Sequence, residues 1–162
     1  MQYSDKLDKI KGIGEKTQRA FLKLGIVTLM DLLEHYPRGY DVYEKPVSIG
    51  EVLEGEVFTI EAEIAGSPKL IRARRLQIVT ARARDLTGVL NLTWYNMPYL
   101  ARTIKSGTVC LLRGKICRKN GVLLMEQPRI YRREEYYRLL KVLQPIYPLT
   151  EGLTNNMIVK AM

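Results

Sequence analysis

The sequence has few of the residues on which catalytic and metal sites depend. It contains two cysteines, Cys110 and Cys117, and one histidine, His35, which is too few ligands for a structural zinc site. The segment GIGEKT at 12–17 is not a phosphate-binding loop, because Glu15 stands between the glycine and the lysine and a helix precedes it. We therefore expect no catalytic residues, no metal and no bound nucleotide or other cofactor for this chain.

Signals for export and membrane insertion are also missing. No apolar run approaches the about 20 residues that a membrane-spanning helix needs. The N-terminal residues contain neither an apolar signal segment nor a cleavage site. The sequence therefore predicts a cytosolic protein with no membrane partner, in which both cysteines remain free thiols.

Acidic residues are scarce in one long segment. Residues 66–133 contain 15 basic and 2 acidic side chains, whereas residues 1–65 contain 8 basic and 12 acidic ones. Such a run can be a solvated face. Because so much charge of one sign repels itself, it can also be a surface that binds an anionic polymer, and nucleic acid is the leading candidate. An acidic membrane is less suitable, since no amphipathic basic helix accompanies the charge.

The first forty residues have helical periodicity. We expect a short helix after Ser4 that carries Leu7 and Ile10, and a second helix from Glu15 to Leu24 that Gly25 terminates. A third helix is predicted after a capping box formed by Thr28 and Asp31, ending before Pro37.

Gly12 and Gly14 separate the first two predicted helices. This arrangement is helix-hairpin-helix-like, and the backbone amides of such a hairpin can bind a phosphate. The same turn can also serve packing alone, and the surrounding segment is acidic on balance.

The periodicity changes from helical to alternating after residue 54. Five strands are predicted, with residues 67–75 as a basic loop or hairpin tip, and residues 96–107 interrupt the sheet with room for a short helix. An Asn-Gly turn at 120–121 joins the last two strands. This layout predicts a mostly β protein with a five-stranded OB-fold barrel. The five strands are 55–66, 76–85, 89–95, 108–121 and 122–131.

The predicted organisation has three parts. Residues 1–46 form a helical N-terminal segment, residues 47–133 form the OB-fold domain, and residues 134–162 form a linker with the start of another helix. Thr154 can cap that helix. The sequence stops before the helix completes its apolar face, so we expect the helix to continue in a longer chain.

The third strand carries the most informative aromatic residues. Its alternation places Leu90, Leu92 and Trp94 in the barrel core and turns Tyr95 outward. Tyr99 follows four residues later in a loop that Pro98 stiffens. Exposed aromatics beside basic side chains are typical of OB-folds that bind single strands. Tyr99 could instead fold back and close the end of the barrel.

Three stretches of the sequence together resemble a known family. LTWYNMPYL at 92–100, the helical hairpin at 11–40 and PIYPLTEGLT at 145–154 are similar to the N-terminal wedge region of the ATP-dependent DNA helicase RecG. The resemblance implies an OB-fold wedge that splits strands at the branch point of a replication fork or Holliday junction, during fork regression and recombinational repair. It also implies motor domains elsewhere in the parent protein, which use ATP and Mg, and a monomer in the bacterial cytoplasm near the nucleoid.

The resemblance assigns roles to individual residues. Tyr95 takes the place of an aromatic that stacks on a base at the branch point, where the family often has phenylalanine, and Tyr99 matches the second stacking aromatic. A set of basic residues is expected to contact phosphates: Lys69, Arg72, Arg74, Arg75, Arg82, Arg84, Arg102, Lys105, Arg118 and Lys119. The alternative function is an OB-fold module that binds RNA or a protein partner.

Overall fold

The computed structural model describes residues 2–140 and 142–162. These residues form two compact units. The first, called the helical unit here, comprises the described residues up to Val42 together with Leu143–Met162. The second, called the sheet unit, is Tyr43–Val142. The chain is mostly β, as the sequence predicts.

The two units divide the chain differently from the predicted segments 1–46, 47–133 and 134–162. The C-terminal residues contribute strand β8 (Gln144–Ile146), which pairs antiparallel with β1 (Gly39–Asp41). Buried side chains after β8, including Ile158, share one core with the N-terminal residues. Local periodicity does not report a pairing between segments that are distant in sequence, so these residues resembled a linker.

The helical unit contains α1 (Glu15–Lys23), α2 (Leu29–Leu33) and α5 (Asn155–Ala161), and side-chain caps define the starts of α2 and α5. The predicted capping box of α2 is confirmed: the Asp31 amide donates to Thr28 Oγ1 over 3.2 Å, and the Thr28 amide donates to the Asp31 carboxylate over 2.8 Å. The predicted cap of α5 is confirmed as well, since Thr154 Oγ1 accepts from the Met157 amide over 3.3 Å.

The predicted first helix is wrong. Residues Leu7–Lys9 form a single 3-10 turn, and Lys6 before it has an extended backbone. Ile10 is also extended, and Gly12 turns the chain with a φ of +98°. Because the backbone is extended at both Lys6 and Ile10, the i to i−4 hydrogen bonds of an α-helix do not form across this segment. In the helix-hairpin-helix-like segment, one α-helix follows the turn, and the described residues before the turn contain no α-helix.

The sheet unit contains six strands, one more than predicted. The additional strand lies in the predicted basic loop or hairpin tip, and it forms a hairpin with the strand after it. A short helix, α3 (Leu100–Thr103), follows the fourth strand of this unit, and α4 (Arg133–Leu139) follows the last one. The strands are β2 (Val57–Ile64), β3 (Lys69–Ala73), β4 (Leu76–Arg84), β5 (Val89–Tyr95), β6 (Val109–Lys119) and β7 (Val122–Tyr131).

Five of the six strands pair in a closed circuit. The order of hydrogen-bonded neighbours is β2, β6, β7, β5 and β4, and β4 pairs again with β2 through Glu63–Arg84 and Ile64–Ala83. The β5–β7 pairing is parallel, and the others are antiparallel. Strand β3 extends this circuit from the side of β4.

Trp94 is the largest side chain in the core of the sheet unit. It is 1% exposed, and its indole nitrogen donates a hydrogen bond to the Pro128 carbonyl over 2.8 Å. The prediction that Trp94 belongs to the core is confirmed. At Gly114 a Cβ would lie 2.8 Å from Met125 Cγ and 3.0 Å from Pro128 Cα, so only glycine allows β6 to approach β7 this closely.

Candidate nucleic-acid interface

Strand β5 presents its side chains alternately to the core and to the outside. Leu90, Leu92 and Trp94 are buried, while Thr93 and Tyr95 are only partly covered. The predicted alternation is therefore confirmed. Tyr95 stands at the end of the strand, on the outer face of the circuit.

The Tyr95 side chain is held by a charged pair from the neighbouring hairpin. Lys119 Nζ donates to the Tyr95 hydroxyl over 2.5 Å and to Glu126 Oε1 over 2.7 Å. The same ammonium lies 5.0 Å from the centre of the Tyr95 ring, on the side of the hydroxyl rather than over the ring face. Tyr95 therefore has a defined orientation in the free protein.

The turn between β6 and β7 brings Lys119 and Glu126 together. Asn120 and Gly121 have φ values of +50° and +79°, which match the two-residue hairpin turn that the sequence predicts. The hydrogen bond to Glu126, followed by the one to Tyr95, raises the pKa of Lys119 above its ordinary value. The hydrogen bond from Lys119 lowers the pKa of Glu126. Both groups are therefore charged at neutral pH.

Tyr99 is exposed at the same end of β5. Its exposed fraction is 58%, so it does not close the end of the circuit by folding back. The loop before it is anchored to β4, because the Asn96 amide donates to the Gln77 carbonyl over 2.7 Å and Asn96 Oδ1 accepts from the Gln77 amide over 3.3 Å. Tyr99 is the N-cap residue that precedes α3, and its carbonyl accepts from the Arg102 and Thr103 amides.

Three of the basic candidates line one open groove on the outer face. Lys69, Arg82 and Lys119 surround a space of about 770 Å³, together with polar side chains such as Asn91 and Thr93. Lys69 is the first residue of β3, Arg82 lies on β4, and Lys119 is the last residue of β6. A basic groove lined by hydrogen-bond donors can hold a chain of phosphates.

Three more candidates form the tip of the β3–β4 hairpin. Arg72, Arg74 and Arg75 are all exposed. Arg74 has a φ of +40°, an uncommon conformation for a residue other than glycine that the tight turn requires. The hairpin therefore concentrates positive charge at its tip.

The remaining basic candidates are either already in salt bridges or lie outside the groove and the hairpin tip. Arg84 is paired with Glu63 over 3.2 Å, and Arg118 is paired with Glu54 over 3.0 Å. A carboxylate that already neutralises an arginine competes with a phosphate for it. Arg102 lies in α3 and Lys105 lies just after it, and both are exposed.

The hairpin glycines belong to the helical unit. Gly14 precedes α1 with an extended backbone, and its carbonyl accepts from the Gln18 amide over 2.9 Å. His35, in the same unit, lies 3.3 Å from the Pro148 carbonyl and stacks on Tyr147 with a centroid distance of 5.7 Å. These contacts give His35 a structural role.

The described part of the chain offers few reactive groups. Cys110 and Cys117 are free thiols that are only partly buried, and burial raises the pKa of Cys110 to about 11. Within residues 2–140 and 142–162, no three side chains of the types His, Cys, Asp and Glu gather closely enough to hold a metal ion. Among the same residues, no helix has the length and apolar character needed to cross a bilayer.

Comparison with protein families gives a match over nearly the whole chain. A family model described as "RecG wedge domain" matches residues 6–162. The chain belongs to the RecG wedge domain family. The sequence resemblance is thereby confirmed.

Known RecG proteins share this wedge domain as part of a longer chain. The ATP-dependent DNA helicase RecG of Thermotoga maritima is 29% identical over 154 residues, which are 93% of this chain and 19% of the relative. The RecG of Bacillus subtilis is 27% identical over 150 residues, 92% of this chain and 21% of the relative. The chain thus spans about a fifth of the length of these curated relatives.

A solved structure of RecG bound to a three-way DNA junction has the same fold. It superimposes with a TM-score of 0.83 and 25% sequence identity, covering 99% of this chain and 22% of that one.

One residue of the candidate interface was not identified from the sequence. Glu126 is one of only two acidic residues in the basic segment 66–133, and it contacts the predicted stacking residue through Lys119. The hairpin register pairs Glu126 with Lys115 and Lys119 with Val122, so the turn at Asn120-Gly121 does not by itself reveal the contact between Glu126 and Lys119.

Proposed function

We propose that this chain is the branched-DNA-binding wedge of a RecG-like ATP-dependent DNA helicase. The parent protein would use ATP and Mg in motor domains outside this chain to drive fork regression and recombinational repair. This chain itself would bind DNA without hydrolysing ATP. The match to a RecG structure bound to a three-way DNA junction supports the proposal.

The sheet unit would act as an OB-fold barrel. In order along the chain, the five strands of the circuit are β2, β4, β5, β6 and β7, and the parallel contact joins the third to the fifth of them. A five-stranded Greek-key barrel of this kind binds oligonucleotides on the face of its second and third strands and the adjoining loops. Those strands are β4 and β5, which carry Arg82 and Tyr95.

Phosphate contacts would supply the grip on DNA. Lys69, Arg82 and Lys119 line the groove, and the three hairpin arginines extend the positive surface beyond it. These contacts carry no sequence information, so the grip would be independent of base sequence. Arg84, Arg118 and the groove residue Lys119 are in salt bridges and would contribute less.

Tyr95 and Tyr99 would recognise the branch. Separating a base step costs a few kcal/mol. Stacking on an aromatic side chain returns about 1–3 kcal/mol per base, so two tyrosines can offset that cost without ATP. The observation that carries this proposal is the presence of both aromatic side chains at one end of β5, beside a basic groove.

A competition experiment tests the proposal. A fluorescent three-way DNA junction is bound to the 162-residue chain and displaced with unlabelled junction, plain duplex of equal length or single-stranded RNA. The expected order of competition is junction, then duplex, then RNA. If RNA displaces the probe as well as the junction does, the chain is an RNA-binding OB-fold module. If the chain does not bind the junction probe, a protein-binding module is favoured.

A further inference from the structure

The outer face of the β3–β4 hairpin carries an apolar row that continues from Tyr95. Ile71 on β3 pairs directly with Ile78 on β4, and Ile78 pairs directly with Tyr95 on β5. Directly paired residues have their side chains on the same face of a sheet. Val79 follows Ile78 on β4, and Trp94 precedes Tyr95 on β5. Both are buried, so the row faces outward. Ile71, Ile78 and Tyr95 are called the apolar row below.

The apolar row is accessible and longer than one base. Ile71 is 50% exposed, and Ile78 and Tyr95 are partly covered. Neighbouring strands are about 4.8 Å apart, so three strands give a row about 10 Å long. Successive bases in a stacked strand are separated by about 3.4 Å. The row can therefore contact more than the single base that stacks on Tyr95.

Positive charge lies on both sides of the apolar row. Toward the hairpin tip are Arg74 and Arg75, and on the other side are Lys69, paired with Thr80, and then Arg82. A strand of nucleic acid needs this combination, since its phosphates require cations and its unpaired bases require an apolar contact. A protein partner with an apolar surface would gain nothing from the flanking arginines, and their charge also opposes pairing between two β3 edges.

We propose that the apolar row is a base-binding strip, in which Ile71 and Ile78 contact a second unpaired nucleobase next to the one on Tyr95. The ligand is an unpaired base of a branched DNA. This inference rests on the proposed function and adds a specific expectation about the substrate. The protein should distinguish a branch with two unpaired nucleotides from a branch with one.

The experiment uses three-way DNA junctions with zero, one, two or three unpaired nucleotides at the branch. For the unchanged chain, affinity should rise with the first unpaired nucleotide and again with the second. Ile71→Ser should abolish the second rise and keep the first. Its affinity for the junction with two unpaired nucleotides should therefore be about three- to tenfold lower than that of the unchanged chain. Plain duplex should bind as before, because it offers no free base.

Val89→Ser is the matched control. Val89 is 55% exposed on the outer face of β5, and it lies six residues before Tyr95, about 20 Å along the strand. It should leave both rises unchanged. Circular dichroism of both variants would verify the fold.

Two results would overturn the inference. One is an Ile71→Ser variant that keeps the second rise in affinity. The other is an Ile71→Ser variant that loses self-association in sedimentation while its DNA binding is unchanged, since the row would then bind a second copy of the chain. Tyr95→Ala on the same junctions separates the two proposals. If it removes the first rise while Ile71→Ser does nothing, only the base-binding strip is wrong.

Discussion

Lys119 Nζ donates to the Tyr95 hydroxyl over 2.5 Å, although the two residues belong to different strands, β6 and β5. Glu126 completes the contact by accepting from the same ammonium over 2.7 Å. The proposed stacking residue is thus oriented before any DNA arrives. Preorganisation of this kind reduces the entropy that binding must overcome.

The two tyrosines should determine the preference for branched DNA. Tyr95→Ala and Tyr99→Ala should each weaken binding to a three-way junction by about 1–3 kcal/mol, because each removes a stacking surface. Plain-duplex affinity and its salt dependence should stay nearly unchanged, since phosphates are the same in both substrates. If both rings contact the same base step, the double variant should lose less binding free energy than the sum of the two single losses.

Fluorescence anisotropy on the two DNAs provides the measurement. Tyr95→Phe is the control, because it keeps the ring and removes only the hydroxyl contact. Unchanged junction affinity in a folded double variant would show that the chain is only an electrostatic clamp.

Glu126 should weaken DNA binding in the unchanged protein. Its carboxylate neutralises Lys119, which lines the groove that the phosphates would enter. Glu126→Gln should therefore tighten binding at low salt by about two- to tenfold and make the salt dependence steeper. Glu63→Gln, which releases Arg84 outside this groove, is the matched control and should have a smaller effect. Equal effects of the two substitutions would show that only net charge matters.

The hairpin arginines should dominate the salt dependence of binding. If about five phosphates are neutralised on duplex DNA, the slope of log affinity against log salt should be about −4.5. Replacing Arg72, Arg74 and Arg75 together with alanine should flatten that slope. The double variant Arg84→Ala, Arg118→Ala should change it less, because both side chains are already in salt bridges. A slope shallower than about −2 for the unchanged protein would mean that the basic segment is a solvated face.

Asp85 should make the stability of the sheet unit depend on acid pH. Burial alone would raise its pKa, but hydrogen bonds from Ile49, Thr87 and Gly88 outweigh burial and lower the pKa below the usual 3.8. A lowered pKa in the folded state stabilises the protein above the unfolded pKa, and this contribution is lost as pH falls through the folded value.

Asp85→Ala should accordingly cost about 1–3 kcal/mol at pH 7 and much less at the most acidic pH at which the protein still folds. Urea unfolding at a series of pH values measures the difference. A cost that is constant across the series would contradict the role of the ionised carboxylate.

Trp94→Ala should lower stability rather than change DNA recognition directly. It empties a large part of the core and removes the hydrogen bond to the Pro128 carbonyl, at a cost of about 3–5 kcal/mol. Thermal unfolding measures this effect. At low temperature, where Trp94→Ala remains folded, its ratio of junction affinity to duplex affinity should match that of the unchanged chain.

The sequence determined features that depend on local chemistry. Alternation placed Trp94 inside and Tyr95 outside, because successive side chains of a strand point to opposite faces. Thr28 and Asp31 define the start of α2 through side-chain bonds to nearby amides, and Asn120-Gly121 defines the β6–β7 turn because its backbone needs positive φ. These interactions connect residues a few positions apart, so they can be recognised without the fold.

The tertiary structure decided what depends on contacts between distant segments. It separated the ten basic candidates into groove cations, hairpin arginines, salt-bridged arginines and two residues near α3, although all ten look alike in sequence. The segment predicted as the first helix forms a 3-10 turn in the structure. The tertiary structure also joined residues 143–162 to the helical unit, and it formed the row from Ile71 to Tyr95 across three strands. Where no short turn joins two strands, their register is set by packing of the whole core, so no local pattern of residues determines it.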